Sequence, residues 1–205
     1  MDADGPDLRE LRRLCDDHDA GLYVDEAHAL GVLGPEGRGR CAEAEVEPDV
    51  LVGTLGKAFG SQGAFVAGAT VLRDWLWNRA RSFVFSTGLA PVAATAAKLA
   101  LEAIVRTPAL RERVAQLALR LRDGLTATGF APMGFGHIVP VLVGASDRAV
   151  MLSRRLAELG IVVPPIRPPT VPDGTARLRL TVTARHETSD VDATIEAFRR
   201  MADIR

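Results

Sequence analysis

The chain has 205 residues, 47% of them hydrophobic and 25% charged, and a net charge of −1. This is the balance of a folded globular protein with a core of its own. Without a basic excess, it argues against nucleic acid or an anionic membrane as partner. The two cysteines, Cys15 and Cys41, show neither CxxC nor zinc-type spacing, so no metal site is expected. With no membrane-length apolar run and no secretory pattern, the expected location is the cytoplasm.

In chain order, Asp7 to His18 puts Leu8, Leu11, Leu14 and Cys15 on one helical face, with Pro6 suited to the first turn. After Gly21, the run Leu22-Tyr23-Val24 ends in charge at Asp25, the pattern of a buried strand that delivers a side chain to a site. Gly31 to Arg40, rich in glycine and holding Pro35, predicts loop. Val50-Leu51-Val52 predicts the next strand, followed by Gly53-Thr54-Leu55-Gly56-Lys57 and Gly60. A small-residue strand over 64–67, a helix through Trp75 and Trp77, and a strand over 82–85 come next.

From Pro91 to Thr128 the chain predicts one long helix or two, broken near Thr107-Pro108. Beyond lie a strand over 138–143, a helix over 147–159, strands over 161–163 and 177–182, and a closing helix from Ser189. Alternating elements with short connections predict an α/β sheet. A boundary near Pro108 divides the chain into domains 1–107 and 108–205.

Four places could carry chemistry. Asp25 at a strand end can hold a ring nitrogen or a metal, and His28 can approach the same ligand; a helix cap beside a surface histidine fits the same residues. Lys57 follows Gly56, with Gly60 and Gly63 close behind, on backbone that can approach a ligand closely. A lysine so placed suits Schiff-base chemistry if burial or neighbouring cations lower its pKa, and otherwise is a solvated surface lysine. The P-loop reading fails because Ala58, not Ser or Thr, follows Lys57. Ser86-Thr87-Gly88 precedes the long helix as a phosphate-binding start or a plain N-cap. Arg177 and Arg179 alternate within a strand and so face one way, to grip a carboxylate or to blunt an edge.

Taken together, these residues resemble the ordered signature of fold-type I pyridoxal-phosphate (PLP) enzymes, and more closely the α-oxoamine synthases. The likeness rests on Val24-Asp25-Glu26-Ala27-His28 with Gly31, Gly34 and Gly37-Arg38-Gly39, on Thr54-Leu55-Gly56-Lys57, and on Met1-Asp2-Ala3-Asp4-Gly5 ahead of them. The segments 166–172 and 174–180 resemble the branch of that family in biotin biosynthesis. Family members are about twice as long, so the likeness implies the later part of a large domain with a mostly parallel sheet, then an α+β small domain.

What the resemblance implies is specific. Lys57 would hold PLP and remove the substrate α-proton, Asp25 would pair with the ring nitrogen, and His28 would lie beside the cofactor. Thr54 would contact the cofactor phosphate, and Thr87, with Ser86 beside it, the phosphate of a partner subunit in a homodimer. Arg179, with Arg167 as a second candidate, would bind the amino-acid carboxylate. The implied reaction condenses L-alanine with a pimeloyl thioester, carried on coenzyme A or a carrier protein, and releases carbon dioxide. The alternatives are a glycine C-acetyltransferase or 5-aminolevulinate synthase type of enzyme, or a non-catalytic remnant or partner subunit.

Overall fold

The computed structural model describes residues 2–202. It divides into two compact units, residues 6–111 and residues 2–5 with 112–202. In the first, α1 (Leu8–Asp17) starts at Asp7, whose carboxylate accepts from the Arg9 and Glu10 N–H groups at 2.9 and 3.2 Å. A polar cap of this kind satisfies donors that the first helical turn cannot pair internally.

Then follow β1 (Tyr23–Asp25), α2 (Gly39–Glu43), β2 (Val50–Thr54), β3 (Ala64–Gly68), α3 (Thr70–Arg79), α4 (Arg81–Val84) and α5 (Pro91–Arg106). β1 pairs with β2 in parallel, Asp25 opposite Val52, and β3 pairs antiparallel on the other side of β2. The sheet is therefore mixed, in the order β1-β2-β3. A parallel pair needs a crossover, and the segment 26–49, with one 3-10 turn at Pro35–Gly37 and then α2, supplies it.

One carboxylate ties the strand starts to α1. Asp49 accepts from Arg12 and from the Leu22 N–H, both at 2.7 Å. The Arg12 guanidinium first, and then the Leu22 N–H, hold the Asp49 carboxyl below the ordinary carboxylate range. A depressed carboxyl contributes stability that is present above its unfolded pKa and lost as the pH falls through the folded one. Asp49→Asn is therefore expected to destabilise this unit at neutral pH. Its unfolding midpoint should converge on that of the unmodified chain as the pH drops below about 4; an offset independent of pH would show that the charge plays no part.

The face of this sheet that carries Tyr23 and Val66 is open, these residues being 62% and 49% exposed. Trp75, Trp77 and Phe85 also stand more than half exposed. Among the described residues, few apolar side chains of this unit are buried, Leu8, Leu22 and Phe59 among them.

The second unit contrasts with that. It takes most of α6 (Pro108–Ala127), then β4 (Ile138–Gly144), α7 (Ser146–Glu158), β5 (Pro165–Ile166), β6 (Ala176–Thr181) and α8 (Thr188–Ala202). The sheet is antiparallel, in the order β4-β6-β5. Leu125, Val139, Leu156, Leu178 and Phe198 lie in one closed apolar cluster. Arg122 threads its guanidinium to the Met133 and Ile138 carbonyls at 2.5 and 2.6 Å, giving the turn before β4 its acceptors' partners.

The stretch 91–128 is two helices, α5 and α6, parted at Thr107. Two expected strands are not formed. Residues 82–85 lie in and after α4, where the Val84 N–H reaches the Ala80 carbonyl at 2.8 Å and the Phe85 N–H reaches Arg81 at 3.1 Å. An apolar run this short reads alike in either conformation, and here the local helical bonds win. Residues 161–163 are irregular because the Ile161 N–H closes the end of α7 on the Leu156 carbonyl at 2.9 Å. The ladder starts only at Pro165. No helix among the described residues is long and apolar enough to cross a membrane.

Candidate active site

Side chains of paired residues in a sheet share a face, and alternate residues of a strand return to it. Asp25 pairs with Val52, so Asp25 and Thr54 stand on one face, at the C-terminal ends of two parallel strands. This is where open α/β sheets place their ligands. His28 sits on the turn leaving β1 and Lys57 on the turn leaving β2, and Asp25, His28 and Lys57 are all exposed.

Local hydrogen bonds hold both turns. One Asp25 oxygen accepts from the Ala27 N–H at 2.8 Å, so the carboxylate is fixed within its own turn rather than capping a helix. The lysine turn is closed by Leu55 N–H to Gly63 at 2.8 Å, Ser61 N–H to Leu55 at 2.8 Å and Gly60 N–H to Lys57 at 3.0 Å. The Ser61 hydroxyl then donates to the Ala93 carbonyl on α5 at 2.7 Å. A flexible side chain thus projects from a rigid backbone. Sequence reasoning passed over Ser61, since a lone serine gives no sign of its partner.

Thr54 is partly committed. Its hydroxyl donates to the Gly63 carbonyl and accepts from the Gly56 N–H, both at 3.2 Å. To donate to a phosphate oxygen, the hydroxyl would have to turn from Gly63. Ser86 and Thr87 are exposed between α4 and α5, and the Ser86 hydroxyl donates to the Phe83 carbonyl at 3.2 Å. Neither caps α5, whose N-cap is Ala90.

Arg167 and Arg179 belong to the other unit. Arg179 is half-buried on the central strand β6, with a buried Nε that has no hydrogen-bond partner among the described residues. It therefore has donor capacity to give. Burial first, and then the Arg179 charge, push the His137 imidazole below its ordinary pKa. Arg177 faces different demands. It is 5% exposed and pairs with Asp2, with the Thr175 carbonyl at 2.9 Å and the Thr175 hydroxyl at 3.0 Å, so its fork is occupied by structure. Arg167 is exposed just beyond β5.

Two further observations bound the site. A cavity of the first unit, about 1720 Å³, lies against the opposite sheet face, with Leu51, Phe65 and Ala67, and is lined by none of Asp25, His28, Thr54 or Lys57. This cavity and the reactive residues lie apart, and the residues able to react place the site. Among the described residues, no cluster of His, Cys, Asp and Glu could hold a metal ion.

A model of the family described as aminotransferase class I and II matches residues 1–198. The chain is 48% identical to the 8-amino-7-oxononanoate synthase of Anaeromyxobacter dehalogenans, over 97% of this chain and 51% of that protein. Among solved structures, it is similar to a variant serine palmitoyltransferase of S. paucimobilis with a bound PLP-myriocin aldimine. That match has a TM-score of 0.93 at 29% identity, covering 100% of this chain and 54% of the other. The 8-amino-7-oxononanoate synthase of Francisella tularensis matches with a TM-score of 0.83 at 25% identity, over 97% of this chain and 58% of its own. The chain spans about half the length of the curated relatives it matches.

Proposed function

The chain belongs to the aminotransferase class I and II family, and from that premise we propose that it serves an 8-amino-7-oxononanoate synthase reaction. In that reaction the α-carbon of L-alanine is joined to the acyl carbon of a pimeloyl thioester, and the thiol and carbon dioxide leave. The fold is the α/β fold of fold-type I PLP enzymes, and PLP is the cofactor. The observation that carries the reading is the placing of Asp25 and Thr54 on one sheet face, beside the turn that presents Lys57.

The donor set fits the cofactor: an amine for its aldehyde, a carboxylate for a protonated ring nitrogen, and a hydroxyl for its phosphate. When bound, PLP supplies an electron sink for the negative charge that develops on the substrate's α-carbon. Lys57 Nζ holds the cofactor and, once released, takes the proton from that carbon. Asp25 keeps a proton on the ring nitrogen by its charge, and His28 lies alongside. Thr54 reaches the phosphate after leaving Gly63, and Thr87, with Ser86, serves the phosphate of a second copy in a homodimer. Arg179, its Nε unpartnered, takes the amino-acid carboxylate; exposed Arg167 is the weaker candidate.

Asp25→Asn keeps the shape but loses the charge. It is expected to lower kcat by about 10²-fold, while the PLP concentration for half-saturation changes far less. A higher half-saturating PLP concentration with kcat unchanged at saturation would make Asp25 a binding residue only.

The test is to incubate the PLP-loaded protein with L-alanine and pimeloyl-coenzyme A, following carbon dioxide and product mass. Alanine-dependent product supports the assignment, and preference for glycine would move it to another α-oxoamine synthase activity. A second reading is favoured by the open sheet face with Tyr23 and Val66: a chain that works only with a polypeptide covering that face. Capture of PLP without turnover would support it. The cytoplasm suits the chain, whose two cysteines, Cys15 and Cys41, are both free thiols.

A further inference from the structure

The chemistry above leaves unused a buried carboxylate in the midst of the site's own motif. Glu26, between Asp25 and His28, is 2% exposed. Its carboxylate accepts from the Cys41 N–H at 2.6 Å and from the Arg40 N–H at 3.0 Å, one on each oxygen. Gly39, at φ +89°, passes so close that a Cβ there would stand 2.8 Å from the carboxyl carbon. The backbone of Glu26 is equally engaged. Its N–H continues the β1–β2 ladder to the Val52 carbonyl at 2.8 Å, and its carbonyl accepts from Ala29 and Leu30 at 2.9 and 3.0 Å.

A charge withdrawn from water is retained only where hydrogen bonds replace its hydration. Here those bonds come from a segment more than a dozen residues onward, the first turn of α2. The turn that carries His28 is therefore held between the sheet on one side and the 39–41 backbone on the other. The Cys41 thiol, pushed up to about 12 by burial and then by Glu26, stays protonated beside this carboxylate.

We propose that Glu26 is the positioning residue of the site: its buried carboxylate clamps the 39–41 backbone to the end of β1, and so fixes the backbone that presents Asp25 and His28. The functional weight of this clamp rests on reading Asp25 and His28 as the groups that meet the cofactor, whereas the clamp itself is independent of PLP.

The experiment uses the full chain, labelled for NMR, in four forms: unmodified, Glu26→Gln, Gly39→Ala and the double variant. Glu26→Gln sets an amide N–H against one of the two backbone donors, and Gly39→Ala breaks the same contact from the other side with the carboxylate intact. Amide exchange at Arg40 and Cys41 is expected to speed up about tenfold, the change that loss of one hydrogen bond to a charged group gives. The His28 imidazole signal is expected to shift in both single variants. The signals of His18 and His186 should hold still, and the double variant should add little, as two ends of one contact require.

Faster exchange with an unmoved His28 would overturn the proposal, reducing Glu26 to a local staple, and so would unchanged exchange. If Glu26→Gln fails to fold, shown by collapse of the His18 and His186 signals, Gly39→Ala decides by the same two readouts. If His28 moves with Glu26 while Lys57 captures no PLP, the clamp stands and the cofactor reading falls.

Discussion

Lys57→Ala is expected to abolish covalent capture of PLP and to lower the condensation rate by about 10³-fold or more, since one amine is both the attachment point and the base. Lys57→Arg should fail as badly, because a guanidinium keeps the charge but cannot give up its proton to act as nucleophile. The chain offers its own control. Lys57 and Lys98 are its two lysines, and Lys98 lies on α5 and lines the cavity on the sheet face away from Asp25 and Thr54. Lys98→Ala should leave PLP capture unchanged. The visible absorbance of the protein–PLP mixture, before and after gel filtration, reads all three variants. Retention of the band by Lys57→Ala would remove the basis of the proposed site.

Phe198→Ala is expected to destabilise the second unit by about 3–5 kcal/mol, the range for emptying an aromatic site in a closed core. Phe198 is fully buried and meets Phe130 edge to face, with ring centroids 5.0 Å apart. A typical domain has about 5–15 kcal/mol in total, so this one change should bring the unit near its unfolding threshold. The surface pair of Arg120 and Asp192, roughly half exposed, should matter far less, since exposed ion pairs are screened and ordered at an entropic cost. Urea unfolding followed by the amide signals of β4 and β6 would measure both. Equal losses would mean that packing in the Leu125–Phe198 cluster does not set the stability of this unit.

Much of the fold was legible because it rests on local pattern. Asp25 ends an apolar run, and Thr54 ends another; period-two alternation then puts them on a common face once the register is known. Proline at 108 marked the break between α5 and α6. Other features depend on contacts that a local reading does not reach. Asp25 and Glu26 are adjacent carboxylates, and only the fold shows that one stays at the surface while the other is buried against Arg40 and Cys41. Arg177 and Arg179 look alike in the strand, but Arg177 is taken by Asp2 from the far end of the chain. Residues 82–85 misled because four apolar-rich residues suit a strand or a helical turn equally.

The most direct measurement is reductive trapping. The purified chain is mixed with PLP, treated with borohydride, and digested, and the phosphopyridoxyl mass is located by peptide sequencing in the mass spectrometer. A label confined to the peptide containing Lys57, and lost when Lys57 is replaced, is the result expected of a PLP site at the ends of β1 and β2. A label divided between Lys57 and Lys98, or carried mainly by Lys98, would contradict it, because simple surface modification would then account for the binding.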